Sequence, residues 1–192
     1  VAEIKSALEL ALEKAERFGR ATKEELLQEQ YYDKGRQIAV RYLKEEVDLE
    51  AELAKLPPEA QKPAKQAIKE ILVRNIALPR EERLDPRAVR ALNGLLAVAS
   101  NKKGMTRLKE EVQQLWDNYL MARNSAFQQL KASFAQQLAS VTRALEAQYG
   151  QKLRVEVEHL PQFQEEWRKF ETNLIQQFEP ILEDRKAKML TL

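Results

Sequence analysis

Glu156-Val157-Glu158-His159 is the one stretch of this chain whose residue types and spacing match a known reactive arrangement. On a helix, a glutamate and a histidine three apart share a face, as in the carboxylate bundles that hold two metal ions. Such a site needs two such pairs and two further glutamates, yet His159 is the only histidine among 192 residues. A complete centre of that kind is therefore excluded; a mixed carboxylate site with one histidine stays open as a minor alternative to a surface role, and no metal or cofactor is expected. Cysteine is absent, which removes thiolate nucleophiles, thiolate metal sites and disulfides. A serine nucleophile would have to recruit His159 from Ser6, Ser100, Ser125, Ser133 or Ser140, none of which sits in a nucleophile motif. The glycines at 19, 35, 94, 104 and 150 are too scattered to build a phosphate loop. No catalytic residue is assigned, and a non-enzymatic role is expected.

Charge offers a second kind of chemistry. The net charge of +2 hides an uneven distribution, because residues 59–110 carry twelve basic and six acidic side chains. Lys62, Lys65, Lys69, Arg74, Arg80, Arg83, Arg87, Arg90, Lys102, Lys103, Arg107 and Lys109 supply enough positive charge for phosphate contacts. Weak nucleic-acid binding through this segment is the alternative function that composition allows. The same charge would also complement the acidic amino-terminal third. Lys102 and Lys103 beside Gly104 could hold an anion at a helix start, and a small-ligand binder or enzyme is the third alternative.

The elements that would position these groups are helical. Apolar residues make up 44% of the chain and charged residues 32%, which suits amphipathic helices and is too apolar for wholesale disorder. From Met105 to Tyr149 there is neither proline nor glycine, and Met105, Leu108, Val112, Leu115, Tyr119, Ala122, Phe127, Leu130, Phe134, Leu138, Val141, Leu145 and Tyr149 form one stripe. A helix of that length is a rod of roughly 67 Å, which must find partners along most of its length. Its heptad phase slips between Tyr119 and Phe127, so it reads as part of a bundle or antiparallel hairpin rather than a uniform zipper.

Other helices are expected over residues 3–18, 22–56, 63–77, 86–100 and 162–177. Thr22 and Glu25 have the spacing of a capping box, Pro57-Pro58 is a strong stop, and Asp85-Pro86 combines an N-cap with a first-turn proline. Pro63 is placed at a first helical position and Thr106 at a cap, while Gly150 suits a left-handed helix end and Pro180 should stop the last helix before a basic tail. Gly35 weakens an unbroken second helix by about 1 kcal/mol relative to alanine, and close packing of another helix is a reason for its presence. Residues 152–160 alternate Leu153, Val155 and Val157 with charged residues, a strand-like period.

The opening Ile4–Glu16 and the segment Tyr32–Leu43 resemble bacterial helical proteins of an uncharacterised family. The resemblance covers mainly the first quarter of the chain and implies no transferable function.

The expectation is thus an all-α protein: a single elongated helical domain, 1–192, with a long antiparallel coiled-coil-like hairpin in which the 22–56 helix is the leading partner of the 105–149 helix. No stretch is apolar enough to span a bilayer, no signal peptide is evident, and a cytoplasmic location follows as an expectation. The expected function is a non-catalytic protein-interaction or assembly module, as a homodimer or with a heterologous protein partner. Trp116, Tyr119, Phe127, Phe134 and Val141 are the candidate interface residues, and each is also a candidate for intrachain core. The glutamine pairs 113–114, 128–129, 136–137 and 176–177 add neutral surface that does not repel another copy.

Overall fold

A computed structural model describes residues 23–149 and 156–192, with side chains over 25–139 and 156–192. The described residues form six α-helices: α1 (Lys23–Leu43), α2 (Leu49–Ala54), α3 (Pro58–Arg74), α4 (Pro86–Val98), α5 (Lys102–Tyr149) and α6 (Pro161–Thr191). A 3-10 turn, Val157–His159, precedes α6. The chain divides into two compact units, Val1–Ile71 and Leu72–Leu192, with the boundary inside α3. The expected helix over 3–18, Thr22 of the capping box, Gly150 and residues 152–155 lie outside the described residues.

In the first unit the expected 22–56 helix is two helices. Glu45 has φ 66°, a left-handed conformation that ends α1, and Asp48 then caps α2 by accepting a hydrogen bond from the Ala51 amide at 2.9 Å. Gly35 explains itself by packing: a Cβ there would stand 2.7 Å from Ala64 Cα and closer still to the Ala64 carbonyl oxygen. Only a residue without a side chain lets α1 approach α3 this closely. α3 begins at Pro58, five residues earlier than expected, so Pro63 lies inside the helix rather than at its start. The buried Ala60, Ala64, Ala67 and Ile68 hold the helix across that missing amide.

In the second unit the start of α4 follows the expected grammar. The Asp85 carboxylate accepts from the Arg87 amide at 2.8 Å and Pro86 occupies the first turn. α5 runs for 48 residues, three earlier than its apolar stripe indicated, because Asn101 rather than Thr106 caps it. The Asn101 side chain accepts from the Gly104 amide at 2.9 Å, while the Thr106 hydroxyl donates back to the Lys102 carbonyl.

Within the second unit the helix paired with α5 is α6; the 22–56 segment, the expected partner, belongs to the first unit. The Ser100 amide donates to the Leu192 carbonyl at 2.8 Å, Glu111 pairs with Arg185 at 2.7 Å, and Phe134 meets Phe163 with ring centroids 5.5 Å apart. Residue numbers rise along α5 as they fall along α6, so the two run antiparallel. α6 also passes through Pro180, the expected stop, and continues to Thr191. Leu182 and Met189, both fully buried, anchor the turns beyond the proline and offset its lost hydrogen bond. Residues 157–159 form the 3-10 turn, with Val157 buried, rather than continuing the strand-like alternation.

Candidate functional site

Four of the five candidate interface residues have described side chains, and all four engage the chain's own second unit. Trp116 is 1% exposed and donates its indole N–H to the Ala77 carbonyl at 3.0 Å. Tyr119, 2% exposed, meets Phe178 edge-on with centroids 5.4 Å apart, and burial pushes its phenol pKa up. Phe127 sits edge-on to both Phe163 and Trp167, at 5.6 and 5.0 Å, and Phe134 shares Phe163. Such T-shaped pairs add about 0.5–1.5 kcal/mol each beyond the area they bury. The side chain of Val141 lies outside the described residues, although its helix is described to Tyr149.

Charge locks this seam in register. The Arg123 guanidinium donates two hydrogen bonds to one oxygen of Glu171, at 2.7 and 3.0 Å, and lies 5.3 Å from the Trp167 ring centroid. Lys131 pairs with Glu158 across α5 and the 3-10 turn. A guanidinium held by a carboxylate and an indole face has little freedom to slide along the helix.

The reactive-looking fragment resolves into surface pairs. His159 Nδ1 is 3.2 Å from Glu156, with both side chains about three-quarters exposed. Glu158 turns to Lys131, which holds its carboxyl below the ordinary carboxylate value. Among the described residues no cluster of three histidine, aspartate or glutamate side chains is placed to hold a metal ion. In the first unit Tyr32 donates to Glu70 and lies beneath Arg36, 4.7 Å from guanidinium to ring centroid. Tyr31 carries Lys34 at 5.5 Å. Lys69 is 7% exposed, and burial lowers its ammonium pKa.

The basic segment contributes a feature that periodicity does not reveal. The loop between α3 and α4 curls around a concave cavity of about 680 Å³, and Arg74, Arg80, Arg83 and Arg87 all line it. Glu81 and Asp85 are the carboxylates at its wall, and buried Leu78, Pro79 and Ala88 supply apolar lining. Arg80 also borders a smaller cavity of about 350 Å³, shared with Tyr119, Ile175, Glu171 and Glu179. In the sequence these arginines are legible as charge but not as a group. The local signal was their type: from Glu70 to Asn101 every basic residue is arginine.

The fold and the seam define an all-α helical bundle built on an antiparallel pair, α5 and α6. The chain belongs to a family of unknown function, DUF6657, which matches residues 50–191. The match covers α2 to α6, most of the chain, and is not specific to the opening segments Ile4–Glu16 and Tyr32–Leu43. No curated protein and no solved structure matches the chain. No helix among the described residues is long and apolar enough to cross a membrane.

Proposed function

We propose that the chain is a non-catalytic association module in which α5 and α6 form a coiled-coil-like hairpin and the distal part of α5 pairs with a second copy. The observation that carries this reading is the register. Phe163, near the start of α6, meets Phe134, whereas α5 continues to Tyr149, roughly 20 Å further along the rod. The apolar stripe continues through Val141, Leu145 and Tyr149 in that extension. Between Ala132 and Tyr149 the only charged residues are Arg143 and Glu146, of opposite sign, so two copies meet there without like-charge repulsion. Trp116, Tyr119, Phe127 and Phe134 then act by holding the hairpin rigid, and Val141 carries the contact between copies.

Light scattering on the chromatographed protein tests this across a concentration series. A particle of twice 22.3 kDa is expected, reverting to 22.3 kDa in Val141→Asp/Leu145→Asp with helicity retained. A particle that stays at 22.3 kDa at every concentration overturns it.

A further inference from the structure

We propose that the loop between α3 and α4 is a binding site for a small, multiply charged phosphate compound, held by Arg74, Arg80, Arg83 and Arg87. Its cavity of about 680 Å³ falls within the 300–1,000 Å³ typical of small-molecule sites. Four arginines line it with only two acidic residues, Glu81 and Asp85, and Asp85 already caps α4. Among the described residues none of the four guanidinium groups takes part in an ion pair. Elsewhere in the same unit Arg107, Arg123 and Arg185 are all paired with glutamates. The lining thus carries four positive charges against the two negative charges of Glu81 and Asp85, an excess that a polyanion relieves.

The residue type narrows the ligand. A planar guanidinium meets phosphate oxygens through two parallel N–H bonds, whereas an ammonium meets them as a point charge. The cavity wall has four arginines and no lysine, although lysines are plentiful in the flanking sequence. A single carboxylate would satisfy one guanidinium, while a chain of phosphates matches several at once. The amides of α4 contribute little, because Pro86 has none and that of Arg87 is bonded to Asp85. Recognition therefore rests on the side chains. A hollow formed by one loop takes a compact ligand, whereas a polynucleotide needs a groove that follows its backbone over several nucleotides. One wall is firmly held, since Ala77, which lines the cavity, receives the Trp116 indole hydrogen bond.

Calorimetric titration of the full chain with inorganic tripolyphosphate at low salt tests the site. Saturable binding of one ligand per chain is expected, weakened about tenfold or more by Arg80→Ala/Arg83→Ala and within about twofold of the parent in Lys102→Ala/Lys103→Ala. Both pairs are exposed, so unchanged unfolding midpoints will show that neither exchange acts through the fold. Absence of binding overturns the proposal, as does equal weakening by the two double variants, which is the signature of diffuse charge. Tighter binding of a single-stranded oligonucleotide than of tripolyphosphate, lost equally in both variants, also overturns it in favour of a nucleic-acid surface.

Discussion

The indole of Trp116, in the first third of α5, donates to the backbone carbonyl of Ala77 at 3.0 Å, across 39 positions of sequence. This bond ties the longest helix to the loop that carries the arginines, and the ring is 1% exposed. A tryptophan suits the position because its body fills core while its single N–H reaches an irregular backbone that has no helical partner to offer.

Replacing Trp116 by Phe removes the donor to the Ala77 carbonyl and shrinks a side chain that is 1% exposed. A loss of about 1–3 kcal/mol is expected in denaturant unfolding, with the helical signal preserved before the transition. An unchanged midpoint would mean that water replaces the indole at no cost and that the loop is not anchored there.

Gly35→Ala ordinarily stabilises a helix by about 1 kcal/mol. Here the added methyl meets the backbone of Ala64, 2.7 Å from its Cα, and backbone cannot rotate away. α1 must separate from α3, so a net destabilisation of about 1–3 kcal/mol is expected in the same unfolding measurement. Stabilisation instead would show that α1 tolerates a wider separation.

The relation of Gly35 to a neighbouring helix was legible in the sequence, because an interior glycine needs a reason to be kept and close packing is the usual one. Asp85-Pro86 and the proline-free run after Met105 were legible on similar grounds, since caps and periodicity are local. Three local readings failed where distant packing intervened. Pro180 looks like a stop until Leu182 and Met189 are seen buried beyond it, Pro63 looks like a start until the alanines around it are seen in the core, and Thr106 looks like a cap until Asn101 reaches Gly104 first. The antiparallel partner of α5 was equally out of reach, because the register of Phe127 on Trp167 and Arg123 on Glu171 is set by residues some 40 to 48 positions away. The same limit hid the arginine cavity: their number can be counted, but their convergence is made by the curl of the loop.

Tyr32 offers a pH-dependent test in the first unit. Its hydrogen bond to Glu70 is the main cause that raises the phenol above its ordinary value of 10.0, with burial adding and the Arg36 guanidinium opposing. A group whose folded pKa is raised gives stability that is complete below the unfolded value and lost as pH climbs through the folded one. Tyr32→Phe is therefore expected to cost about 1 kcal/mol at neutral pH, with the gap to the parent narrowing above about pH 10. Unfolding curves of both proteins at neutral and alkaline pH provide the check, and a gap that stays constant would contradict the assignment.

Phe163 is the keystone of the seam, since it is 2% exposed and touches Phe127 and Phe134 edge-on while sitting near the first turn of α6. Phe170, seven residues on, is 37% exposed and stacks on Trp167 at 5.7 Å from the surface. Truncating a buried phenylalanine to alanine costs about 3–5 kcal/mol, because transfer energy and cavity add, whereas an exposed one costs a small fraction of that. Phe163→Ala is accordingly expected to lower the unfolding free energy by about 3 kcal/mol or more, and Phe170→Ala by under about 1 kcal/mol. Because Phe163 clamps the amino-terminal end of α6, its loss is also expected to accelerate amide hydrogen exchange first in residues 161–167 and only later near Met189, whose fully buried side chain is untouched. Uniform acceleration along the whole of α6 would mean that the helix leaves α5 as one body, and would place the keystone elsewhere in the seam.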